Sequence, residues 1–510
     1  MDWAAGYVTE VGYTYDYWPE LNPLRVRFAL STAGLAAPEI QTACELGFGQ
    51  GISIAIHAAA SGTQWYGNDF NPVHAEFAQT LARCSGASAR LCDQSFAEFA
   101  QRDDLPEFDF IGLHGVWTWV SEENRSIIVD FIRRKLKSGG IAYVSYNTQP
   151  GWATMLPLRH LLSRHATVMS SAGQGVVGRI DLAIAFVDRL LAADPIYAKY
   201  NPSVLEYFKS LKAQERHYLA HEYFNRDFDP MYFADVAERL SSAKLNFACA
   251  AHFLDHLDAA NVNAAQQVLL HEIPDPYFRE SVRDFCVNQR FRRDYWVKGA
   301  RKLTPQEQAD ALSQQRVILV QPRNDVSLKF MWTVGEVSLR EETFRPVLDA
   351  LSDHRPRTLA QIVQAIGNKN YTLGHAGMAV VVFLGTGALQ LVQDEKAAAK
   401  AKRQTDRLNM VFMEHARVGR TMKPIFASPL TGGVEVERFH ALFLLARSKG
   451  ERQPADWARF VWEVLVAEGE KVVKDGRRLE TSEENLSELN VLAKGFATNQ
   501  LPIFQALGIA

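Results

Sequence analysis

The chain has 510 residues, of which 47% are hydrophobic and 22% charged, and its formal net charge is −3. That length exceeds what one hydrophobic core supports and implies about two to four domains. The near-balanced charge argues against an overall pull toward nucleic acid or membrane. The five cysteines (Cys44, Cys84, Cys92, Cys249, Cys286) form no CxxC pair. This argues against a disulfide framework or a zinc knuckle and for a reducing, cytoplasmic setting.

The N-terminus, "MDWAAGYVTEVGYTYDY", has no basic region ahead of an apolar stretch and does not read as a signal peptide. Strand-like and helix-like runs then alternate up to about residue 165. "QTACEL" leads into the glycine-rich "GFGQG", and "ISIAIHAAA" continues as helix. "TQWYGNDF", "SARLCD", "FDFIGLHG" and "GGIAYVSYNT" read as strands, separated by helices such as "EENRSIIVDFIRRKLKS". This alternation predicts βαβ units around a parallel sheet. Residues 1–165 are therefore expected to form a Rossmann-like α/β domain. Residues 166–325 are expected to form a helical middle domain, 326–400 a winged-helix-like segment and 401–510 a helical C-terminal domain. "YTLGHAGMAVVVFLGTGALQLVQ" has no formal charge, but its glycines, His and Gln residues favour a buried helix and strand over a membrane span. As a DNA-reading helix it lacks any Lys or Arg, so it reads as a packing or protein-interaction element.

Gly47, Gly49 and Gly51 stand where a strand turns into a helix, with Phe48 between them. Glycine permits that turn and lets backbone approach a ligand, and a helix N-terminus offers free N–H groups to an anion. Asp69, about 20 residues on, ends the second strand, where a carboxylate can take two ribose hydroxyls; Phe70 and Asn71 follow it. Asp93 ends the third strand at the cleft edge of the sheet. A dinucleotide would fit this outline. Two features favour S-adenosylmethionine: Glu45, which makes the loop E-x-G-x-G-x-G, and the tetrapeptide Asp93-Gln94-Ser95-Phe96, which looks like an adenine contact. The tetrapeptide also reads as a helix N-cap, and both readings hold together.

"ELGFGQG", "LHGVWTWV", "GGIAYVSYNTQPGW", "YLAHEYFN" and "DFCVNQRFRRDYW" together resemble one family. It is the class I S-adenosylmethionine-dependent methyltransferases that carry a methyltransferase regulatory domain, and among them the rickettsial lysine methyltransferases that modify an outer-membrane protein. The resemblance covers roughly residues 10–300 and continues more loosely beyond. It implies S-adenosylmethionine as donor, S-adenosylhomocysteine as product and no metal. It further implies a protein substrate, such as an outer-membrane or surface protein, with no nucleic acid and no membrane insertion, and it is compatible with a homodimer. The family tends to show His-Pro-x-Arg after an aromatic N-terminal stretch. Here Asn22-Pro23-Leu24-Arg25 takes those slots after "YTYDYWPEL", which leaves the acceptor open as lysine, small molecule or surface sugar. A donor-binding interaction protein with little catalysis is the reading from another class.

Methyl transfer needs in-line alignment and an acceptor lone pair. A lysine must lose its proton first, which burial among aromatic rings favours. Tyr13, Tyr15, Tyr17 and Trp18 supply rings in the N-terminal segment, Trp117 and Trp119 follow the fourth strand, and Tyr146 ends the fifth. Tyr15, Trp117 and Tyr146 are expected to converge on the methyl position, with Tyr15 in a lid, whereas Trp18 and Trp119 are expected to pack the domain. His114 is expected to contact the donor or act as base, and Asn147 to orient donor or acceptor. His217, His221 and Glu222 share a helix face but lack a third metal ligand at convincing spacing. "RFRRDYW" reads as a salt-bridge hub.

Overall fold

A computed structural model describes residues 6–12, 14–419 and 422–510. Its centre is a seven-stranded sheet: β1 (Thr42–Leu46), β2 (Gln64–Asp69), β3 (Ala89–Asp93), β4 (Phe108–Leu113), β5 (Leu136–Asn147), β6 (Leu245–Ala250) and β7 (Phe291–Lys298). The spatial order is β3-β2-β1-β4-β5-β7-β6. The strands from β3 to β5 are parallel, and β7 runs antiparallel to both β5 and β6. Every residue of β4 is buried, the continuous apolar run expected of a central strand covered on both faces. The strand order reverses between β1 and β4, so their carboxyl ends open a crevice where ligands bind in such sheets.

Helices α1 (Pro23–Thr32), α2 (Ile52–Ala60), α3 (Pro72–Ser85), α4 (Phe96–Ala100) and α5 (Glu122–Lys135) flank the sheet. All nine residues of α2 are buried, because the helix is covered twice. Ile54 and Ala58 join the core on the sheet, while Ile52, Ala55, Ile56 and Ala59 pack into the core of the C-terminal region. A helix apolar all round is a buried helix.

The Rossmann-like sheet does not end near residue 165. Helices from Leu156 to Tyr223 form an insert with its own core around Trp152, Leu162, Ile180 and Phe208, after which β6 and β7 complete the sheet. The sequence hid β7 because that strand carries charge inward. Arg292 and Asp294 are buried in it and bonded to each other, so the strand reads as a basic cluster rather than as alternation. Past the sheet, β8 (Arg316–Leu319), the hairpin β9 (Lys329–Trp332) and β10 (Gly335–Ser338), β11 (Arg357–Thr358) and β12 (Leu389–Val392) follow. β8 lies before residue 326 yet is the middle strand of β11-β8-β12, so that segment begins earlier than expected. The helix Leu373–Gly385 buries Ala376 and Ala379 through Leu384 in the core. The charged run at 394–407 is the first half of the 24-residue helix Glu395–Val418, which crosses the expected boundary at 400 and is capped by the Asp394 carboxylate. The hairpin β13 (Ile425–Ser428) and β14 (Gly432–Glu435) and further helices complete the chain.

Candidate active site

Gly47, Gly49 and Gly51 have φ of +68°, +57° and +73°, the left-handed region that favours glycine. Close packing adds to this at two of them. A Cβ on Gly47 would stand 2.7 Å from Val116, and one on Gly51 2.3 Å from Ala78. The loop is fastened to β2 from both sides: the Gly47 and Phe48 N–H groups donate to the Asn68 carbonyl (2.8 and 3.2 Å) and the Gly49 N–H donates to Asp69 Oδ2 (2.9 Å).

Above this loop lies a cavity of about 160 Å³. Among the expected residues Gly47, Gly49, Asp69, Phe70, Ser95, Phe96 and His114 line it. Ser95 is also the N-cap of α4, in a reciprocal pair with Glu98, so its two readings coexist. The other expected donor contacts lie outside the lining. Phe48 is a core residue. Gly51 shapes the start of α2, and Asn71 caps α3. Asp93 is exposed, and the Gln94 carbonyl accepts from the Asn68 amide. Glu45 is buried in β1 with one carboxylate oxygen unpartnered. Burial, then the neighbouring Asp69, pushes its pKa up to about 8.

The expected acceptor residues are largely displaced. Trp117 is fully buried in the core under β4 and β5, while Trp119 lines the cavity. Both sit in one 3₁₀ turn, Trp117–Trp119, where two residues of offset point a third of a turn apart; the expected assignment is thus reversed. Tyr146 is a core residue whose hydroxyl donates to Asp294 (2.8 Å). Asn147 is buried and structural: its Oδ1 accepts from the Trp152 indole (3.1 Å) and its N–H donates to Thr118. Tyr15 packs edge-on against Phe77 of α3 (5.6 Å), beside the C-terminal core. Tyr17 packs on His57 and meets the β14 glycines. Tyr13 lies outside the described residues.

The N-terminal segment still closes the cavity, but with Gly6 and Tyr7. Tyr7 stands edge-on to Phe70 (5.7 Å) and beside His221 (5.5 Å). The segment is tied to the helical insert, the Arg226 N–H donating to the Gly6 carbonyl and the Val8 N–H to Asn225. His221, which the sequence reading did not assign to a metal site, donates from Nε2 to the Val11 and Gly12 carbonyls. Among the described residues no group of three or more His, Cys, Asp or Glu could hold a metal ion.

His114 follows β4 directly and lies against the indole of Trp18, stacked at 3.7 Å and 12°. Trp18 is pinned to α2 through its N–H to Ser53 and its carbonyl to His57. The His114 Nδ1 bonds the Tyr143 hydroxyl (2.8 Å). Burial holds its pKa down at about 4, with Glu20 and Arg293 as smaller, opposed influences. The imidazole is therefore neutral near pH 7. The cavity residues the sequence did not single out are chiefly Tyr7, Asn68, His74, Val116, Asn124 and Asp227. The "NP" before His74 signals a helix start, but nothing in the sequence marks Asp227 as a neighbour of the glycine loop.

Comparison with known proteins agrees with this geometry. A family model described as "Methyltransferase domain" matches residues 44–144, and one described as "Predicted methyltransferase regulatory domain" matches residues 215–298. An uncharacterised protein of Synechocystis sp. is 39% identical over 516 residues, covering 100% of both chains. The chain belongs to the class I S-adenosylmethionine-dependent methyltransferases with a regulatory domain. An uncharacterised Rickettsia prowazekii protein is 26% identical to the methyltransferase over 289 residues, covering 56% of this chain and 51% of that one. PKMT2 from Rickettsia typhi, solved in complex with AdoHcy, shares the fold: TM-score 0.71 at 18% identity, over 98% of this chain and 99% of that one. The regulatory-domain match spans β6 and β7, so this part of the methyltransferase builds the sheet itself.

The site fits the donor. The orphaned Asn68 Oδ1, on a residue that lines the cavity, is a buried acceptor, a costly arrangement that a hydroxyl-bearing ligand relieves.

Proposed function

We propose that this methyltransferase acts on a side-chain nitrogen of a protein, lysine Nζ being the acceptor that best suits the cleft. When bound, S-adenosylmethionine supplies an electrophilic methyl group on a sulfonium. Gly47 and Gly49 cradle it, Asp69 holds its ribose, and Phe70, Ser95 and Phe96 flank its adenine. The observation that carries the acceptor reading is His114, which lines the cavity just past β4 as a neutral imidazole backed by the Trp18 indole and so makes that wall aromatic. Such a wall disfavours an ammonium and favours the free amine, whose pKa in water is about 10.4. Aromatic faces also tolerate the methylated ammonium that results. With a pKa of about 4, His114 is too weak a base to hold the amine's proton, and it orients the acceptor instead.

The whole-length likeness to rickettsial PKMT2 supports a protein acceptor over a small molecule, since the insert and both C-terminal regions are shared. We assign residues 1–298 to a catalytic unit with a helical insert, about 305–392 to a winged-helix-like packing module, and 394–510 to a C-terminal domain. Five free cysteines support a cytoplasmic location, and no helix among the described residues is long and apolar enough to cross a membrane.

The test is transfer of labelled methyl groups from S-adenosylmethionine into a cell lysate, followed by fractionation and acid hydrolysis. Label in protein, recovered as methyl-lysine, is the expected result. Label confined to small molecules or sugars would reject a protein acceptor, and no transfer by protein that binds the donor would reject catalysis.

A further inference from the structure

His74 lies beside the ribose-binding carboxylate and has no part in the expected donor contacts. It is 6% exposed, sits in the first turn of α3 and lines the cavity. Its protonation pattern follows from its neighbours. Asn71 Oδ1 accepts the Val73 N–H (3.0 Å), which fixes the amide orientation and turns Nδ2 toward His74. That Nδ2 lies 3.4 Å from His74 Nε2. An amide NH₂ only donates, so Nε2 carries the lone pair and the proton sits on Nδ1. Nδ1 lies 3.3 Å from Asp69 Oδ1 and donates to it. The Asn71 N–H donates to the same Oδ1 at 3.0 Å, and the Gly49 N–H to Oδ2 at 2.9 Å.

A carboxylate offers about two acceptor sites per oxygen. Oδ1 has both filled by protein donors, and Oδ2 has one filled. The sequence expectation that Asp69 takes two ribose hydroxyls therefore meets a carboxylate with one vacancy.

We propose that His74 is a positioning residue that commits Asp69 to a single ribose hydroxyl of the methyl donor, by occupying the second acceptor site of Oδ1. The Val73–Asn71–His74–Asp69 chain then holds the carboxylate plane against the glycine loop, and Oδ2 alone meets the ribose. This rests on the reading of Asp69 as the ribose acceptor.

Calorimetric binding of S-adenosylhomocysteine and of its 2′-deoxy and 3′-deoxy analogues tests both levels. Each is measured in the intact protein and in Asp69→Asn, so that a double-mutant cycle isolates the coupling of Asp69 to each hydroxyl. The expected result is coupling to one hydroxyl, about tenfold or more, and none to the other. His74→Phe frees Oδ1 and is expected to make Asp69 couple to both hydroxyls. His74→Asn, whose amide N–H stands at the Nδ1 place, is expected to restore coupling to one. If His74→Phe does not fold, His74→Gln serves, because its amide reaches the Nε2 place and leaves Oδ1 free. Coupling to both hydroxyls in the native protein, or no change on removing the Nδ1 donor, overturns the proposal while leaving Asp69 as ribose acceptor. Coupling to neither hydroxyl overturns the Asp69 reading and the proposal with it.

Discussion

Glu45 shows how a single carboxyl couples the site to stability. Its pKa in the fold is about 8, against an ordinary 4.5, mainly because burial penalises the anion. The folded state thus binds the proton more tightly than the unfolded one. Its contribution to stability is fully present below pH 4.5 and is lost as pH rises through 8. Glu45→Gln keeps a neutral side chain at every pH, so its melting temperature is expected to gain on the native protein from pH 4.5 to 8 and then level off, the full gain being a few kcal/mol. A gap that does not change with pH would contradict this. His57, His114 and His221 act in the opposite direction. Burial holds each down at about 4, so the stability gained by keeping them neutral is present above about pH 6.5 and is lost as pH falls through 4. Thermal melts in the ligand-free protein are expected to show a steep acid limb over that window, and His57→Gln is expected to make it shallower.

At the scale of single elements, the turn Trp117–Trp119 divides its two indoles between core and cavity. Trp117→Ala is expected to cost about 3–5 kcal/mol as a large buried deletion, while the folded fraction binds S-adenosylhomocysteine nearly as the native protein does. Trp119→Ala is expected to weaken that binding about tenfold or more. Melting curves beside calorimetry separate the two, and the reverse pattern would restore Trp117 to the site. Strand β7 carries the other decisive element. Arg292 bonds Glu280, Asp284 and Asp294 at 2.9, 2.6 and 2.8 Å, and Asp294 also accepts from Tyr146. Burial pushes the Asp284 pKa up to about 7 even beside that guanidinium. Arg292→Leu would strand two buried carboxyls and is expected to destabilise by about 3–5 kcal/mol in denaturant titration. A loss below about 1 kcal/mol, the scale of an exposed pair, would show that the network contributes little.

Across the whole molecule, the C-terminal region acts as the second cover of α2. Ile52, Ala55, Ile56 and Ala59 share a core with Leu408, Phe412, Phe426 and Leu442. The Asn22 side chain, which caps α1, also donates to the Thr431 carbonyl. A chain ending at residue 394 exposes that apolar face beside the glycine loop. It is expected to aggregate or melt far below the full chain and to lose S-adenosylhomocysteine binding. A soluble truncated chain with native melting temperature and affinity would show that the domains are independent.

The sequence by itself determined the part of the cavity lining built on the glycine loop and the strand end. Local rules govern it: glycines where backbone must be left-handed, an acidic residue at a strand end, a helix beginning at once. Asp69, Ser95 and Phe96 could be read because each lies a few residues from the element that places it. Only the tertiary structure decided the rest. Trp117 and Trp119 are chemically alike and two residues apart, and the direction of one short turn chose between them. Tyr146 and Asn147 stand at a strand end like any site residue, but their polar atoms were claimed by Asp294, far along the chain, and by Trp152, across the turn that follows the strand. Strand β7 was concealed because its buried charges are compensated by Glu280 and Asp284 of the preceding helix and by Tyr146, which periodicity does not detect. His74 stands between the two cases, since it lies only five residues from Asp69. Its place in α3 is local, but its meaning comes from a carboxylate already held by the glycine loop, and that juxtaposition exists only once the sheet has formed.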